Sequence, residues 1–311
     1  MKHSIVIVIP YFGQWDEWAP LFFETLRRNE SIQFLVFTDC DMEGLTAPNL
    51  RVTPIAFAEY VAMVNERLGI SFAPDNAYKL CDLRPLLGRI HQPEFGGFDF
   101  FGWCDVDLLF GDIRAFYTDD LLTRYDVLST HEHRISGHFA LFRNTRRNRE
   151  MYRRIYAWEE ALRHREFVGI DEHGITNAYL MTVFDKFNEK FHRRVANPLT
   201  RALARRRRRR LFMKEQYTTP FLPRPWLDGS RDSAQPGKWY YRDGHITNDR
   251  DRGREFIYIH FMNFKSSRWR HDGTPAPWET LDRVCRATVD DMKNGIVIDA
   301  SWIWPLPSTG S

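Results

Sequence analysis

The sequence predicts an α/β fold, a mostly parallel central sheet flanked by helices with a C-terminal α/β extension. Three observations carry that expectation. The chain opens β-α-β: an apolar run Ile5–Ile9, helical spacing of Trp18, Leu21, Phe22 and Leu26, then a second apolar run Ile32–Phe37. An aromatic-rich core stretch, Phe98–Ile113, delivers two carboxylates, Asp105 and Asp107, at its downstream end, where open α/β sheets place their ligands. Finally, 311 residues with 43% hydrophobic content are enough for one large α/β domain and an appended lobe.

The elements follow in order. Pro10 and Gly13 end the first strand, and the first helix is expected over Trp15–Asn29. Thr38-Asp39 ends the second strand, so Tyr11 and Asp39 are expected on one sheet edge. A third strand is expected over Arg51–Ile55 and a helix over Phe57–Leu68, stopped by Gly69. Asp75 is positioned to cap a helix carrying Lys79 and Asp82 three apart, with Pro85 as its kink. After the Phe98–Ile113 stretch come a turn and short helix to Thr123, a strand Asp126–Thr130, and an apolar strand Phe139–Phe142 behind Gly137-His138. Thr145–Arg165 reads as a charged amphipathic helix and Ile175–Phe187 as another, with Asp171-Glu172 at the junction before it. Pro220–Pro236 is a Pro/Gly/Asp/Ser-rich loop, and Lys238–Arg242, His245–Asn248 and Phe256–Phe261 are late strands.

The chemistry concentrates on few residues. Residues two apart on an extended strand project to one face, so Asp105 and Asp107 can approach one cation from one side. Oxygen ligands of that kind suit Mg²⁺ or Mn²⁺ better than zinc. His260, at the end of its strand, is either an ordinary core histidine or a third ligand, with Lys265 five residues on as a cation for a leaving phosphate. Lys79 and Asp82 read either as a structural ion pair or as contacts to a diphosphate and a sugar hydroxyl. Asp171 and Glu172 either cap the following helix or supply a general base. Tyr11 or Phe12 against a base and Asp39 toward uracil or ribose are the nucleotide expectations, and a turn cap is the plain alternative for Asp39. His131 and His133 form a His-x-His pair without further ligands at zinc spacing, so a polar loop is expected there.

Charge narrows the partners. The formal net charge is +3, yet Arg205–Arg210 alone contribute six positive charges, so basicity is local and a nucleic-acid partner is not expected. Cys40, Cys81, Cys104 and Cys285 are scattered and read as reduced thiols. No apolar run is long enough to span a bilayer, and the short first run resembles no signal peptide, so a cytoplasmic protein is expected. Leu306-Pro-Ser-Thr-Gly310 has the letters of a surface-sorting signal without the hydrophobic and basic tail an anchor requires.

Taken together, the Ile5–Pro10 strand, Thr38-Asp39, Tyr78-Lys79 with Asp82, Trp103-Cys-Asp105-Val-Asp107, Asp171-Glu172 and His260-Phe-Met-Asn-Phe-Lys265 resemble the GT-A-fold, nucleotide-sugar-dependent glycosyltransferases. The likeness is to bacterial enzymes of capsule and O-antigen synthesis, with galactofuranosyltransferases as the narrower match. That resemblance implies Mn²⁺ or Mg²⁺ held by Asp105, Asp107 and His260, and a UDP-sugar donor contacted by Tyr11, Asp39, Lys79, Asp82 and Lys265. It also implies Asp171, or else Glu172, as the base of an inverting displacement. The acceptor would be a saccharide or lipid-linked glycan, with Arg205–Arg210 touching the inner face of the membrane. The corresponding organisation is a catalytic region over 1–200, an arginine-rich and irregular segment over 201–236, and a segment over 237–311 completing the site. Two other classes use the same residues differently. A metal-dependent phosphohydrolase or nucleotidyltransferase would bridge two ions at the acids, and a noncatalytic adaptor would rely on the arginines alone.

Overall fold

A computed structural model describes residues 1–180, 208–220, 237–251, 253–261, 285–299 and 302–307. The central sheet has seven strands: β1 (Ile5–Pro10), β2 (Ile32–Thr38), β3 (Leu50–Pro54), β4 (Phe100–Cys104), β6 (Val127–Ser129), β7 (Phe139–Arg143) and β8 (Leu211–Met213). Their order is β3-β2-β1-β4-β7-β6-β8. All pairings are parallel except those of β7 with β4 and β6, so six of the seven strands run one way. The predicted mostly parallel α/β sheet is therefore present. β1, β2 and β4 are buried almost throughout, which is why they read as continuous apolar runs rather than alternating ones.

β5 (Leu108–Phe110) leaves the main sheet and pairs antiparallel with β11 (Tyr258–His260). The C-terminal extension is a second, antiparallel sheet of β9 (Trp239–Arg242), β10 (His245–Asn248), β12 (Ile296–Asp299) and β13 (Trp302–Pro305), in the order β10-β9-β12-β13. It packs into the same core as the first helix, with Trp18 centred 5.9 Å from Trp302 and 5.8 Å from Phe261.

Several local expectations are corrected. The first helix spans Ala19–Arg28 rather than starting at Trp15, because Pro20 is favoured in a first turn, where its missing N–H costs nothing. The Lys79 segment is a 3₁₀ helix, Ala77–Leu86, capped by Asn76 rather than Asp75. The expected single helix over Thr145–Arg165 is three short pieces, Arg146–Arg149, Met151–Arg154 and Trp158–Arg163, broken at Ala157 with φ 50°. Of Ile175–Phe187, residues Ile175–Leu180 are described and helical. The loop predicted over Pro220–Pro236 lies outside the described residues apart from Pro220. None of the four cysteines is in a disulfide. No helix among the described residues is long and apolar enough to cross a membrane.

Candidate functional site

A cavity of about 690 Å³ opens at the carboxyl ends of β1 and β4, where Tyr11 and Asp105 leave their strands. This is the edge at which parallel strands leave their ligand-facing loops. β4 ends at Cys104, so Asp105-Val106-Asp107 is the bend between β4 and β5 rather than the end of a strand. The acids still converge. A carboxylate oxygen from each and a ring nitrogen of His260 all lie within 4.8 Å of one another. The β5–β11 register sets His260 opposite Leu108, and its Nε2 is 3.5 Å from Asp107 Oδ2.

The donor set fits a divalent ion. Two hard carboxylates and one imidazole suit Mn²⁺ or Mg²⁺, and His260 Nδ1 is buried without a hydrogen-bond partner among the described residues. Charge points the same way: among the described residues Asp16, Asp105, Asp107, Asp171 and Glu172 line the cavity together with Arg84 and Arg134. That formal excess of acids over arginines on the described wall favours a cation and disfavours an unaccompanied anion.

His138 stacks on His260 with ring centroids 4.3 Å apart. Its Nδ1 lies 2.6 Å from the Tyr258 hydroxyl, which in turn is 2.5 Å from Thr130 Oγ1. All four side chains are buried, so the His260 ring is held from one side by a fixed stack.

The Asp171-Glu172 pair divides in the fold. Gly169, with φ 87°, turns the chain into a single π-type turn, Ile170–Gly174, and faces Asp171 inward. Asp171 is 3% exposed and accepts from Arg84 Nη1 at 2.5 Å; the same guanidinium pairs with Asp105 through Nη2. Burial raises the Asp171 carboxyl to about 6, against the lowering pull of Arg84. Glu172 turns the other way, accepting from Gly137 N at 3.1 Å and meeting Arg134 Nε at 3.3 Å. A Cβ at Gly137 would come within 3.0 Å of Asp171 Oδ2 and Glu172 Cγ and 3.1 Å of Arg84 Nη1, so the glycine lets these side chains close in. The Gly-His pair thus makes room for the protein's own acid and arginine.

Lys79 and Asp82, expected either as an ion pair or as ligand contacts, form the ion pair. Both are fully buried and absent from the cavity wall. Lys79 Nζ donates to Asp82 at 2.9 Å and to the Ala161 carbonyl at 2.8 Å. Asp82 accepts the N–H groups of Val168, Gly169 and Ile170 at 2.8, 2.8 and 2.9 Å, fixing the turn that carries Asp171. Tyr11 does line the cavity, stacked on Trp15 at 4.5 Å, whereas Asp39 is exposed outside it and accepts from Gly13 N at 2.9 Å. Lys265 lies outside the described residues, as do Arg205–Arg207.

Sequence reading missed Arg84, whose only signal is a charge set among Leu80, Leu83, Leu86 and Leu87. It also missed the partners of His131. That ring does not pair with exposed His133 but gathers with His138 and Glu172. The group is already filled by a cation, because Arg134 Nη2 lies 3.0 Å from His131 Nε2.

A search of curated proteins finds no match to the chain. Among solved structures it is similar to the galactosyltransferase LgtC in complex with donor and acceptor sugar analogues, at 12% identity over 88% of this chain and 89% of that one, TM-score 0.43. It is also similar to an active-site mutant of LgtC, at 13% identity over 94% of each chain, TM-score 0.44. Mouse xyloside xylosyltransferase 1 is similar at 10% identity over 74% of this chain and 91% of that one, TM-score 0.34. The sequence model of DUF6625, described as a family of unknown function, matches residues 7–277, and the chain belongs to that family.

Proposed function

We propose that this protein is a metal-dependent glycosyltransferase of GT-A type, moving a sugar from a UDP-sugar to a saccharide acceptor with inversion. The observation that carries the reading is the convergence of Asp105, Asp107 and His260 beside a buried carboxylate, Asp171, tied to Asp105 through Arg84, in one cavity at the strand ends. Asp105, Asp107 and His260 would hold Mn²⁺ or Mg²⁺. When bound, such an ion supplies charge neutralisation to the diphosphate as the bond to the sugar breaks. Tyr11 offers its ring face to the base, with Asp39 next to it on the same edge. Lys265 is the cation assigned to the departing diphosphate.

Asp171 acts as general base, taking the proton of the acceptor hydroxyl while that oxygen attacks the sugar carbon. Its raised pKa leaves it ionised at neutral pH yet basic enough to accept the proton. Arg84 orients it, and Asp82 fixes the turn beneath it. Glu172, which accepts from Gly137 N and meets Arg134, is the alternative base. Bacterial surface polysaccharide synthesis and a galactofuranosyl donor are the narrower reading.

The two-ion phosphohydrolase reading is weaker, because the second cluster a further ion would need already has Arg134 at the His131 lone pair. Calorimetric titration of UDP with and without Mn²⁺, on wild type and Asp107→Ala, tests the proposal. UDP binding that requires Mn²⁺ and is lost in the variant is the expected result. Absence of nucleotide binding under every metal condition would overturn it.

A further inference from the structure

Beyond the cavity, the strongest feature that the proposed chemistry does not use is an arginine surface built from three separated segments. Arg208–Arg210 lead into β8, and Arg124 ends the helix Asp119–Arg124; together with Tyr125 they line one open depression of about 680 Å³. The third segment is the short helix Arg146–Arg149, whose Asn148 donates to the Asp126 carbonyl at 3.3 Å. Asp126 ties these segments together: its carboxylate accepts from Arg210 Nη2 at 2.6 Å and Arg143 Nε at 2.9 Å. That one acid is consumed by two guanidiniums. Arg124, Arg147, Arg208 and Arg209 are exposed and have no acidic partner among the described residues.

The register gives this surface a direction. Leu211 is level with Val127, and Val127 with Phe142, at the ends where β6 and β8 begin. The other ends of the same strands lead to His131 and Tyr217, which line the cavity. Arginine surface and cavity mouth therefore lie at opposite ends of these strands, separated by the extended run from Asp126 to His131, about 15 Å.

We propose that this edge docks on an anionic lipid bilayer and that the cavity mouth then faces away from it. The charges are presented across three segments on an outer edge rather than along a groove with base-stacking aromatics, so a flat anionic surface fits them better than a nucleic acid. This placement does not depend on what the cavity turns over. If the cavity does serve a glycan acceptor, the acceptor's reacting end must stand away from the lipid headgroups by at least the height of the sheet.

Co-sedimentation with phosphatidylcholine vesicles, with and without phosphatidylglycerol, tests this at low and high salt. Wild type is expected to pellet with the anionic vesicles only and to be released by salt. Each arginine removed among Arg124, Arg147, Arg208 and Arg209 should weaken partitioning about fivefold, with the fourfold Gln variant left in the supernatant. Mn²⁺ and UDP binding to the vesicle-bound protein should match that of the free protein, since the two lie at opposite strand ends. Equal sedimentation of wild type and the fourfold variant would overturn the proposal, as would no anionic-vesicle binding, or a preference for short duplex RNA over vesicles. Vesicles that displace UDP would overturn the orientation, whereas failure of UDP binding in free protein bears only on the glycosyltransferase reading.

Discussion

Arg84 Nη1 holds Asp171 Oδ2 at 2.5 Å, and through its other terminal nitrogen the same guanidinium pairs with Asp105, so one half-buried cation joins the candidate base to the candidate metal site. Replacing it as Arg84→Met removes a group that lowers the Asp171 pKa while leaving the burial that raises it. Asp171 must be ionised to accept a proton, so wild-type kcat/KM should fall as pH drops through about 6. In the variant that acid limb moves to higher pH. A pH–rate profile with both limbs coincident would remove Asp171 as the base.

Gly137→Ala probes the same pair without replacing either member. The added Cβ presses on Asp171 and Arg84 from 3.0–3.1 Å, displacing them by tenths of an ångström. Turnover should drop about tenfold, because reacting groups are sensitive to small misplacements. Stability should change by less than about 1 kcal/mol, since the crowded atoms are side-chain ends. Parallel urea and kinetic titrations separate the two effects.

Lys79→Met distinguishes a support from a ligand. Removing the ammonium strands Asp82 in a fully buried setting, although three backbone N–H groups still serve it. A loss of about 3 kcal/mol in urea unfolding is expected. Unchanged stability with weakened UDP binding would instead restore Lys79 as a nucleotide contact.

Tyr258→Phe keeps the aromatic contacts and deletes only the hydroxyl that fixes His138 against His260. Outer partners of metal-binding histidines typically contribute tenfold or more to affinity, so Mn²⁺ should bind about tenfold more weakly in calorimetry. Unaltered Mn²⁺ affinity would mean that the stack is packing alone.

The strands were readable because burial on both faces writes them as plain apolar runs: Ile5–Pro10, Ile32–Thr38 and Phe100–Cys104 need no long-range information. Asp105 and Asp107 were readable for the opposite reason, as charges set where such a run ends. The broken helix after Thr145 was not, since a charged amphipathic pattern is the same whether the helix continues or is interrupted, as it is at Ala157.

By itself the sequence determined the β-α-β opening, the mostly parallel sheet and the pair of acids at its edge, all set by local polarity and spacing. Only the tertiary structure decided who stands next to those acids. Pairing of β5 with β11 brings His260 to Asp107 across 153 positions of sequence, and the 3₁₀ turn of Ala77–Leu86 sends Arg84 into the cavity while burying Lys79 and Asp82 behind it. Three charged residues within six positions give no local sign of which will face the cavity. That choice follows from which buried partners each can find, Asp171 and Asp105 for Arg84, and the Val168–Ile170 backbone for Asp82.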